Sequence, residues 1–254
     1  MTRLFYYPVK SLAGVETRTL QLTRRGPAWD REWMLVDAAG TFLSQRTLPR
    51  MCLLRTALEK DALRLEFPGA SPLRVSLGLE GKPRRRVVVW DEGGDAFDEG
   101  DAAAGRLSAF LAAPCRLVRF APGFSRREHA AFADDHPLLV VNAASLADLG
   151  RRAGRDFEAE RFRPNIVVTG APAWSEDGWT TLARKGLVLR AAKPCARCAI
   201  TTVDPATGER GPEPLKTLAS FRRGADGDVL FGVNCAPEAA GRLRVGDELE
   251  TSAI

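Results

Sequence analysis

Two cysteines separated by two residues, Cys195 and Cys198, are the residues of this chain best placed to do chemistry. Arg197 lies between them and Lys193 precedes them, so two fixed positive charges stand beside two thiols. A neighbouring Arg or Lys lowers the pKa of a cysteine, and the thiolate is the form that binds metals and acts as a nucleophile. The segment therefore predicts a metal ligand or a reactive thiol.

Four interpretations of the cysteine pair stay open on the motif alone. A structural zinc site needs a second ligand pair, but His129 and His136 stand seven residues apart and no second cysteine pair exists. A redox dithiol normally starts a helix, whereas residues 199–203 predict a strand. A single thiolate on a soft transition metal needs phosphate-binding groups elsewhere, to hold an anionic carrier of that metal. The fourth interpretation is two half-buried structural thiols.

Length and composition are those of an ordinary globular protein. The 254 residues, 45% of them hydrophobic, can bury a substantial core, and the scattered Cys52, Cys115 and Cys235 do not resemble a disulfide framework. A net charge of +5 raises nucleic acid as a partner, but dispersed arginines without interleaved aromatics argue against it. No signal-peptide pattern opens the sequence, and no apolar run reaches the roughly 20 residues that span a bilayer. We expect a cytoplasmic protein with no nucleic-acid or membrane partner.

Short strands separated by turn residues dominate the first half of the chain. β-branched, aromatic and aliphatic residues predict strands over 3–9, 15–22, 32–36, 52–58, 62–67, 73–77 and 86–90. This rhythm is typical of a barrel or a curled sheet. A helix is predicted over 102–111, with Pro114 ending it and a domain boundary near residue 115.

The second half mixes strands with short helices. Strands are predicted over 138–141, 166–168, 187–189, 199–203 and 229–232. Helices are predicted over 144–152, closed by Gly154, and from Pro214 through Phe221. The chain is therefore predicted to be a β-rich α+β protein, with a barrel-like domain over 1–115 and a second domain over 116–254.

Several short motifs in a fixed order surround the cysteine pair. They are Tyr7-Pro8-Val9-Lys10-Ser11, Asp30-Arg31 followed by Trp33, Phe162-Arg163-Pro164-Asn165-Ile166, Cys195-Ala196-Arg197-Cys198 and Thr201-Thr202-Val203-Asp204-Pro205. In this order they resemble the molybdenum cofactor sulfurase C-terminal (MOSC) domain proteins, in the branch with an N-terminal β-barrel region that includes the mitochondrial amidoxime-reducing component. The resemblance spans nearly the whole chain and implies a MOSC-type β-barrel domain with short helices after residue 115.

The resemblance also implies a cofactor and the residues that bind it. Cys198 would be the catalytic residue and the molybdenum ligand, with Cys195 a neighbour. The phosphate and pterin of the molybdenum cofactor would be held by Lys10, Ser11, Arg31, His136, Arg163, Ala196, Arg197 and Asn234, the Ala196-Arg197 pair through backbone and side chain. Two roles stay open for His136, contact with the cofactor or capping of a loop. Asp177 would either orient substrate or lie in an exposed turn.

The reaction implied by the resemblance is reduction of an N–O bond. A molybdenum-dependent oxidoreductase of this kind would reduce N-hydroxylated small molecules such as amidoximes and N-hydroxylated bases. Because no cysteine cluster suits an iron–sulfur centre, electrons are expected from a separate donor protein, a ferredoxin, flavoprotein or cytochrome. The alternative is a carrier that binds molybdenum cofactor, or sulfur on Cys198, and passes it on without reductase turnover.

Overall fold

A computed structural model describes residues 1–124 and 131–253 of the chain. Its strands are β1 Arg3–Tyr6, β2 Val15–Thr17, β3 Thr19–Thr23, β4 Gly26–Pro27, β5 Trp33–Val36, β6 Arg55–Leu58, β7 Ala62–Phe67, β8 Ala70–Ser76, β9 Arg84–Val89, β10 Glu92–Asp98, β11 Arg116–Phe120, β12 Leu138–Asn142, β13 Ile166–Val168, β14 Trp179–Arg184, β15 Leu187–Ala196, β16 Leu230–Pro237, β17 Gly241–Arg244 and β18 Glu250–Ala253. The predicted β-rich α+β fold is confirmed.

Helices are few and short in the described ranges. The α-helices are α1 Asp101–Leu111, α2 Ala143–Ala153 and α3 Leu215–Ala219, and the 3₁₀ helices are Pro49–Leu53, Ala159–Phe162, Ser175–Gly178 and Ala199–Thr202. Helix α2 has the ends that its sequence predicts. The Asn142 side chain accepts a hydrogen bond from the Ala144 N–H, and Gly154 takes the left-handed conformation after the last turn. No helix in these ranges is both long and apolar enough to pass through a membrane.

Strands from both ends of the sequence build the largest sheet. Its eight strands follow the order β18-β14-β15-β16-β12-β13-β1-β2. The first strand, β1, pairs antiparallel with β13, with Leu4 opposite Ile166, and β12 runs parallel to β13. Strand β3 likewise pairs with β17 from the far end of the chain. The predicted boundary near residue 115 stays a prediction, and strands on either side of it share hydrogen bonds.

The first half also forms a curled sheet around an apolar cluster, as predicted. A four-stranded sheet in the order β5-β11-β10-β9 and a three-stranded sheet β6-β7-β8 enclose it. Strand β7 alternates as a half-buried strand should, with Leu63, Leu65 and Phe67 directed into the core. Helix α1 covers the same cluster with Leu107 and Leu111. The two sheets and α1 thus pack against one apolar cluster.

The predicted strand 3–9 ends at Tyr6, the predicted strand 15–22 is divided into β2 and β3, and two further predictions differ more. The segment 52–58 is extended only from Arg55, because Pro49 starts a 3₁₀ helix that ends at Leu53. Residues 199–203, predicted as a strand, form the 3₁₀ helix Ala199–Thr202 instead. The hydroxyls of Thr201 and Thr202 donate to the carbonyls of Cys198 and Ala199, at 3.0 and 2.7 Å, and these local bonds favour the turn over an extended chain.

Tyr7 is packed where the two halves of the chain meet. Its ring is 1% exposed, and its hydroxyl donates to the Pro164 carbonyl at 3.0 Å. Gly14 lies against the ring, so that a Cβ added there would stand 2.5 Å from Cε1 of Tyr7. Glycine at position 14 is therefore required by close packing.

We predict that Gly14→Ala destabilises the protein by about 1–3 kcal/mol, because the added methyl overpacks against Tyr7. Gly105→Ala is the matched control. Gly105 lies inside α1 with nothing within 4 Å of an added Cβ, so this change should stabilise the protein by about 0.5–1 kcal/mol through helix propensity. Urea unfolding measures the change in the free energy of unfolding of each variant. A Gly14→Ala protein as stable as the wild type would contradict the packing argument.

Candidate functional site

A cleft of about 370 Å³ at the meeting of the two halves contains every residue that the sequence predicts to bind the cofactor or its metal. Its walls comprise Lys10, Ser11, Arg31, Arg46, Trp90, Ala133, Asp134, Asp135, His136, Leu139, Phe162, Arg163, Asn165, Cys195, Ala196, Arg197, Cys198, Ile200 and Asn234. The individual binding roles stay predictions. The structure brings residues from positions 10 to 234 to one place.

Unusual backbone conformations accompany four of the cleft residues. Ser11, Arg31, Trp90 and Arg163 have φ angles of 66°, 54°, 57° and 56°, in the left-handed region that side chains other than glycine rarely occupy. Each such residue costs on the order of 1–3 kcal/mol and persists only when its surroundings hold it. The Arg31 N–H donates to the Tyr7 carbonyl at 2.7 Å, and the Ser11 carbonyl accepts from Gln45 at 2.7 Å. Backbone strain is concentrated at this cleft.

The Tyr7 ring supports two of the cationic groups. The guanidinium carbons of Arg31 and Arg163 lie 4.6 and 4.3 Å from its centroid, within cation–π distance. Buried Asp30 forms an ion pair with Arg31 and accepts the Tyr7 N–H at 2.7 Å. The sequence motifs include Tyr7 and Asp30, but the sequence assigned neither residue a role. Their positions in the sequence could have indicated a role, since Tyr7 opens the first motif and Asp30 immediately precedes Arg31.

Arg163 is a cation with unused hydrogen-bonding capacity. Its Nη1 donates to the Leu12 carbonyl, while the buried Nη2 has no hydrogen-bond partner among the described residues. Burial lowers the pKa of Arg163 to about 10, and the nearby Arg31 charge acts in the same direction. The side chain still carries its charge at neutral pH. An unsatisfied buried donor costs free energy, and an anion in the cleft would recover that cost.

Lys10 is a buried cation of the cleft wall with an acidic partner. Its Nζ donates to the Phe132 carbonyl at 2.9 Å and pairs with the Asp134 carboxylate, which also accepts from Trp90 at 2.9 Å. Burial alone would raise the pKa of Asp134, but the Lys10 charge and hydrogen bond outweigh it and hold that pKa well below its usual range. An incoming anion would therefore compete with Asp134 for Lys10.

The five cysteines divide by accessibility. Cys52, Cys115 and Cys235 are buried, and burial raises the pKa of Cys52 to about 11 and that of Cys235 to about 12. These thiols stay neutral. Cys195 and Cys198 are half-buried on the cleft wall.

The Arg197 side chain donates a hydrogen bond to the sulfur of Cys195 and not to that of Cys198. Its Nη1 donates to the Cys195 sulfur at 3.0 Å and its Nη2 donates to the Phe162 carbonyl at 2.7 Å, while the buried Nε has no partner. The backbone N–H of Arg197 donates to the Val229 carbonyl, so only its side chain remains for a ligand. No described residue donates a hydrogen bond to the Cys198 sulfur, which leaves that thiol free to bind a ligand.

Asp135 links the remaining site residues. Its Oδ2 lies 2.7 Å from Lys193 Nζ, 3.2 Å from His136 Nδ1 and 3.5 Å from Asn234 Nδ2. Burial alone would raise the pKa of Asp135, but Lys193 and His136 lower it overall. The His136 Nδ1 is not aligned for a hydrogen bond and counts as an unsatisfied buried atom. His136 is therefore on the cleft wall and able to accept a further partner.

Asp177 has a structural partner. Both carboxylate oxygens accept hydrogen bonds from Arg222, at 2.6 and 2.7 Å, and the residue does not line the cleft. This arrangement favours the interpretation of Asp177 as a turn carboxylate.

The donor set fits an anionic, phosphate-bearing cofactor that carries a soft metal. Six buried side-chain polar atoms in the described ranges lack hydrogen-bond partners, and three of them belong to cleft residues, namely Arg163 Nη2, Arg197 Nε and His136 Nδ1. Guanidinium groups suit phosphate oxygens, and an accessible thiolate suits a soft metal. In those same ranges, no three His, Cys, Asp or Glu side chains gather as a metal site, and His129 lies outside the described residues.

The sequence matches two described protein families. Residues 1–114 match the MOSC N-terminal beta barrel domain, and residues 127–250 match the MOSC domain. Mitochondrial amidoxime-reducing component 1 of Homo sapiens is 32% identical over 97% of this chain and 81% of its own length. Mitochondrial amidoxime reducing component 2 of Rattus norvegicus is 33% identical over the same shares of the two chains. Molybdenum cofactor sulfurase of Danio rerio is 32% identical over 94% of this chain, which corresponds to 32% of that longer protein.

We predict that iodoacetamide labels two of the five cysteines in the native protein, because only Cys195 and Cys198 are accessible. Mass spectrometry of intact protein counts the labels, and Cys198→Ala should reduce the count by one. Full unfolding supplies the control, since all five thiols should then react. Rapid native labelling of Cys52, Cys115 or Cys235 would contradict the burial described here.

Proposed function

This chain belongs to the MOSC family, with an N-terminal beta barrel domain joined to a MOSC domain, and we propose that it is a molybdenum-cofactor-dependent reductase of N-hydroxylated compounds. Its substrates would be small molecules such as amidoximes and N-hydroxylated bases. The observation that carries the proposal is the thiol of Cys198, accessible and unbonded, in a cleft whose cations keep unused donors. Similarity to amidoxime-reducing components over nearly the whole chain supports the same activity.

Each proposed binding role follows from the contacts in the cleft. Cys198 would ligate the metal, because its sulfur has no competing hydrogen bond, whereas the Cys195 sulfur is engaged by Arg197. Arg31 and Arg163 would bind the cofactor phosphate, since Tyr7 holds both guanidinium groups in place. The other contacts would come from Lys10, Ser11, His136, Ala196, Arg197 and Asn234, which line the same walls.

When bound, the cofactor would supply the two-electron chemistry that cleaves an N–O bond. The chain itself would hold the reactants and manage protons. His136 is a wall residue able to exchange a proton, at Nδ1, 3.2 Å from the Asp135 carboxylate. Electrons would come from a separate donor protein, a ferredoxin, flavoprotein or cytochrome.

A carrier of molybdenum cofactor or of sulfur is the second candidate function. The observation in its favour is the similarity to molybdenum cofactor sulfurase, which covers 94% of this chain. Such a protein would release its cofactor to an acceptor, or hold a persulfide on Cys198, and would not reduce benzamidoxime. Metal content, persulfide content and turnover measured on one preparation separate the two functions.

We predict that Cys198→Ala abolishes reduction of benzamidoxime by protein expressed with molybdenum cofactor available, because the metal loses its protein ligand. Cys195→Ala is the matched control and should keep activity within about tenfold, since it removes only a hydrogen-bond acceptor of Arg197. Molybdenum by elemental analysis and product by chromatography are the measurements. Retained activity in Cys198→Ala would remove this residue from the mechanism.

We predict that Arg163→Gln lowers the affinity for molybdenum cofactor by about 10- to 100-fold, because it removes charge-assisted hydrogen bonds to phosphate. Arg151→Gln changes an arginine whose side chain is 75% exposed on α2 and should leave affinity unchanged. Pterin content after gel filtration, measured by fluorescence of the oxidised pterin, compares the variants. Equal retention in both would argue against phosphate binding by Arg163.

A further inference from the structure

Two residues of the cleft wall, Arg46 and Trp90, take no part in the cofactor binding proposed above. Trp90 is 48% exposed, whereas Lys10 is 4% exposed and the Arg31 side chain 15%. The Trp90 ring contacts Asp134 and Arg46, which line the same cleft. Trp90 and Arg46 therefore belong to a part of the wall that solvent reaches, where a small molecule can enter.

Trp90 occupies an unfavourable position in a tight turn. With Asp91 it forms the two-residue loop between β9 and β10, across which Val89 pairs with Glu92. Its φ is 57°, and glycine is the residue that such loops prefer at a first position with positive φ. Backbone strain of this kind is concentrated at functional sites. A large, exposed side chain at a position that disfavours it points to a use for the indole ring.

The indole ring is held in place and supports the Arg46 guanidinium. Its Nε1–H donates to the Asp134 carboxylate at 2.9 Å, and its centroid lies 4.9 Å from that of Phe42. The guanidinium carbon of Arg46 lies 4.8 Å from the indole centroid, within cation–π distance. Trp90 thus fixes where the Arg46 charge lies.

The guanidinium of Arg46 keeps its donors unused. The backbone of the residue is anchored, since its N–H donates to Ser44 Oγ at 3.2 Å and its carbonyl accepts from Arg210. The side chain forms no hydrogen bond or ion pair with any described residue. A guanidinium stacked on a ring holds its N–H groups in its own plane, so they stay available to an oxyanion.

The carboxylates near Arg46 already have cationic partners. Asp134 pairs with Lys10, and Asp135 pairs with Lys193. Arg46 therefore contributes a positive charge that no described carboxylate pairs with. One guanidinium matches one carboxylate through two parallel N–H···O bonds. A phosphate dianion carries more charge than this single cation neutralises, so a carboxylate is the better match.

We propose that Arg46, positioned by Trp90, selects substrates that carry a carboxylate. The guanidinium would bind this carboxylate on an N-hydroxylated compound, while the groups assigned to the cofactor remain occupied by it. The substrate class would then be amidoximes with an acidic substituent. This choice of substrate rests on the proposed function, but the binding of a carboxylate by Arg46 does not.

Calorimetry with 4-carboxybenzamidoxime tests the proposal on the full chain loaded with molybdenum cofactor. The electron donor is left out, so that binding is measured without turnover. 4-Carbamoylbenzamidoxime, which has nearly the same shape and no carboxylate, is the matched ligand. We expect the carboxylate compound to bind at least about tenfold more tightly, and this preference to fall as salt is added. Equal binding of the two compounds would overturn the proposal.

Variants assign the preference to this pair of residues. Arg46→Gln should abolish it, Arg46→Lys should keep part of it through charge alone, and Trp90→Leu should lower it about threefold by removing the cation–π contact. Arg50→Gln is the matched control, because the Arg50 guanidinium stacks on Phe110 at 4.6 Å outside the cleft. This control should keep the wild-type preference. An unchanged preference in Arg46→Gln, or loss of pterin from that variant, would refute the assignment to substrate.

The same two compounds, assayed with an electron donor, separate this proposal from the proposed function. A carboxylate preference in binding without reduction of either compound would refute the proposed function alone. Reduction of both compounds with equal kcat/KM and equal affinity would refute the role of Arg46 alone.

Discussion

The pairing of two arginines with one buried tyrosine is the interaction on which the cleft depends. Arg31 comes from the first half of the chain and Arg163 from the second, and Tyr7 holds both within cation–π distance. The two positive charges lie close together and repel each other, and this repulsion favours a negatively charged group nearby. Asp30 neutralises part of the positive charge through its ion pair with Arg31. On the proposed function, the cofactor phosphate would neutralise the remaining positive charge.

Sheet pairing across the chain gives this charge cluster its rigid frame. Strand β1 leads directly to Tyr7 and pairs with β13, which follows Arg163 after two residues. Arg163 thus lies just before a strand whose register is fixed by hydrogen bonds, and Arg31 lies just before β5, which pairs with β11. The cysteine segment is placed in the same way, at the end of β15, where the pairing with β16 is irregular. Function-bearing side chains lie where regular structure stops, and the strands behind them set their positions.

Much of the fold and the residue types of the site could be predicted from the sequence, but the contacts within the site could not. Helix α2 was predictable because Asn142 and Gly154 mark its ends by local chemistry. The segment 199–203 was predicted as a strand because Ile, Thr and Val favour extended chain, and only the back-bonding of the threonine hydroxyls reverses that preference. The role of Tyr7 was missed because it depends in part on Arg163 and Pro164, more than 150 residues away, and no local pattern reveals those contacts.

The pairing of Leu4 with Ile166 also constrains how the protein is made. During synthesis β1 leaves the ribosome long before β13 has been made. The edge of β1 that pairs with β13 therefore stays unpaired during much of translation. Contacts of such long sequence separation slow folding, because a large loop must close before they form. Cys198 and the arginines of the cleft meet only after this closure. On the proposed function, insertion of the cofactor would therefore be a late event, restricted to a chain in which β1 is already paired with β13.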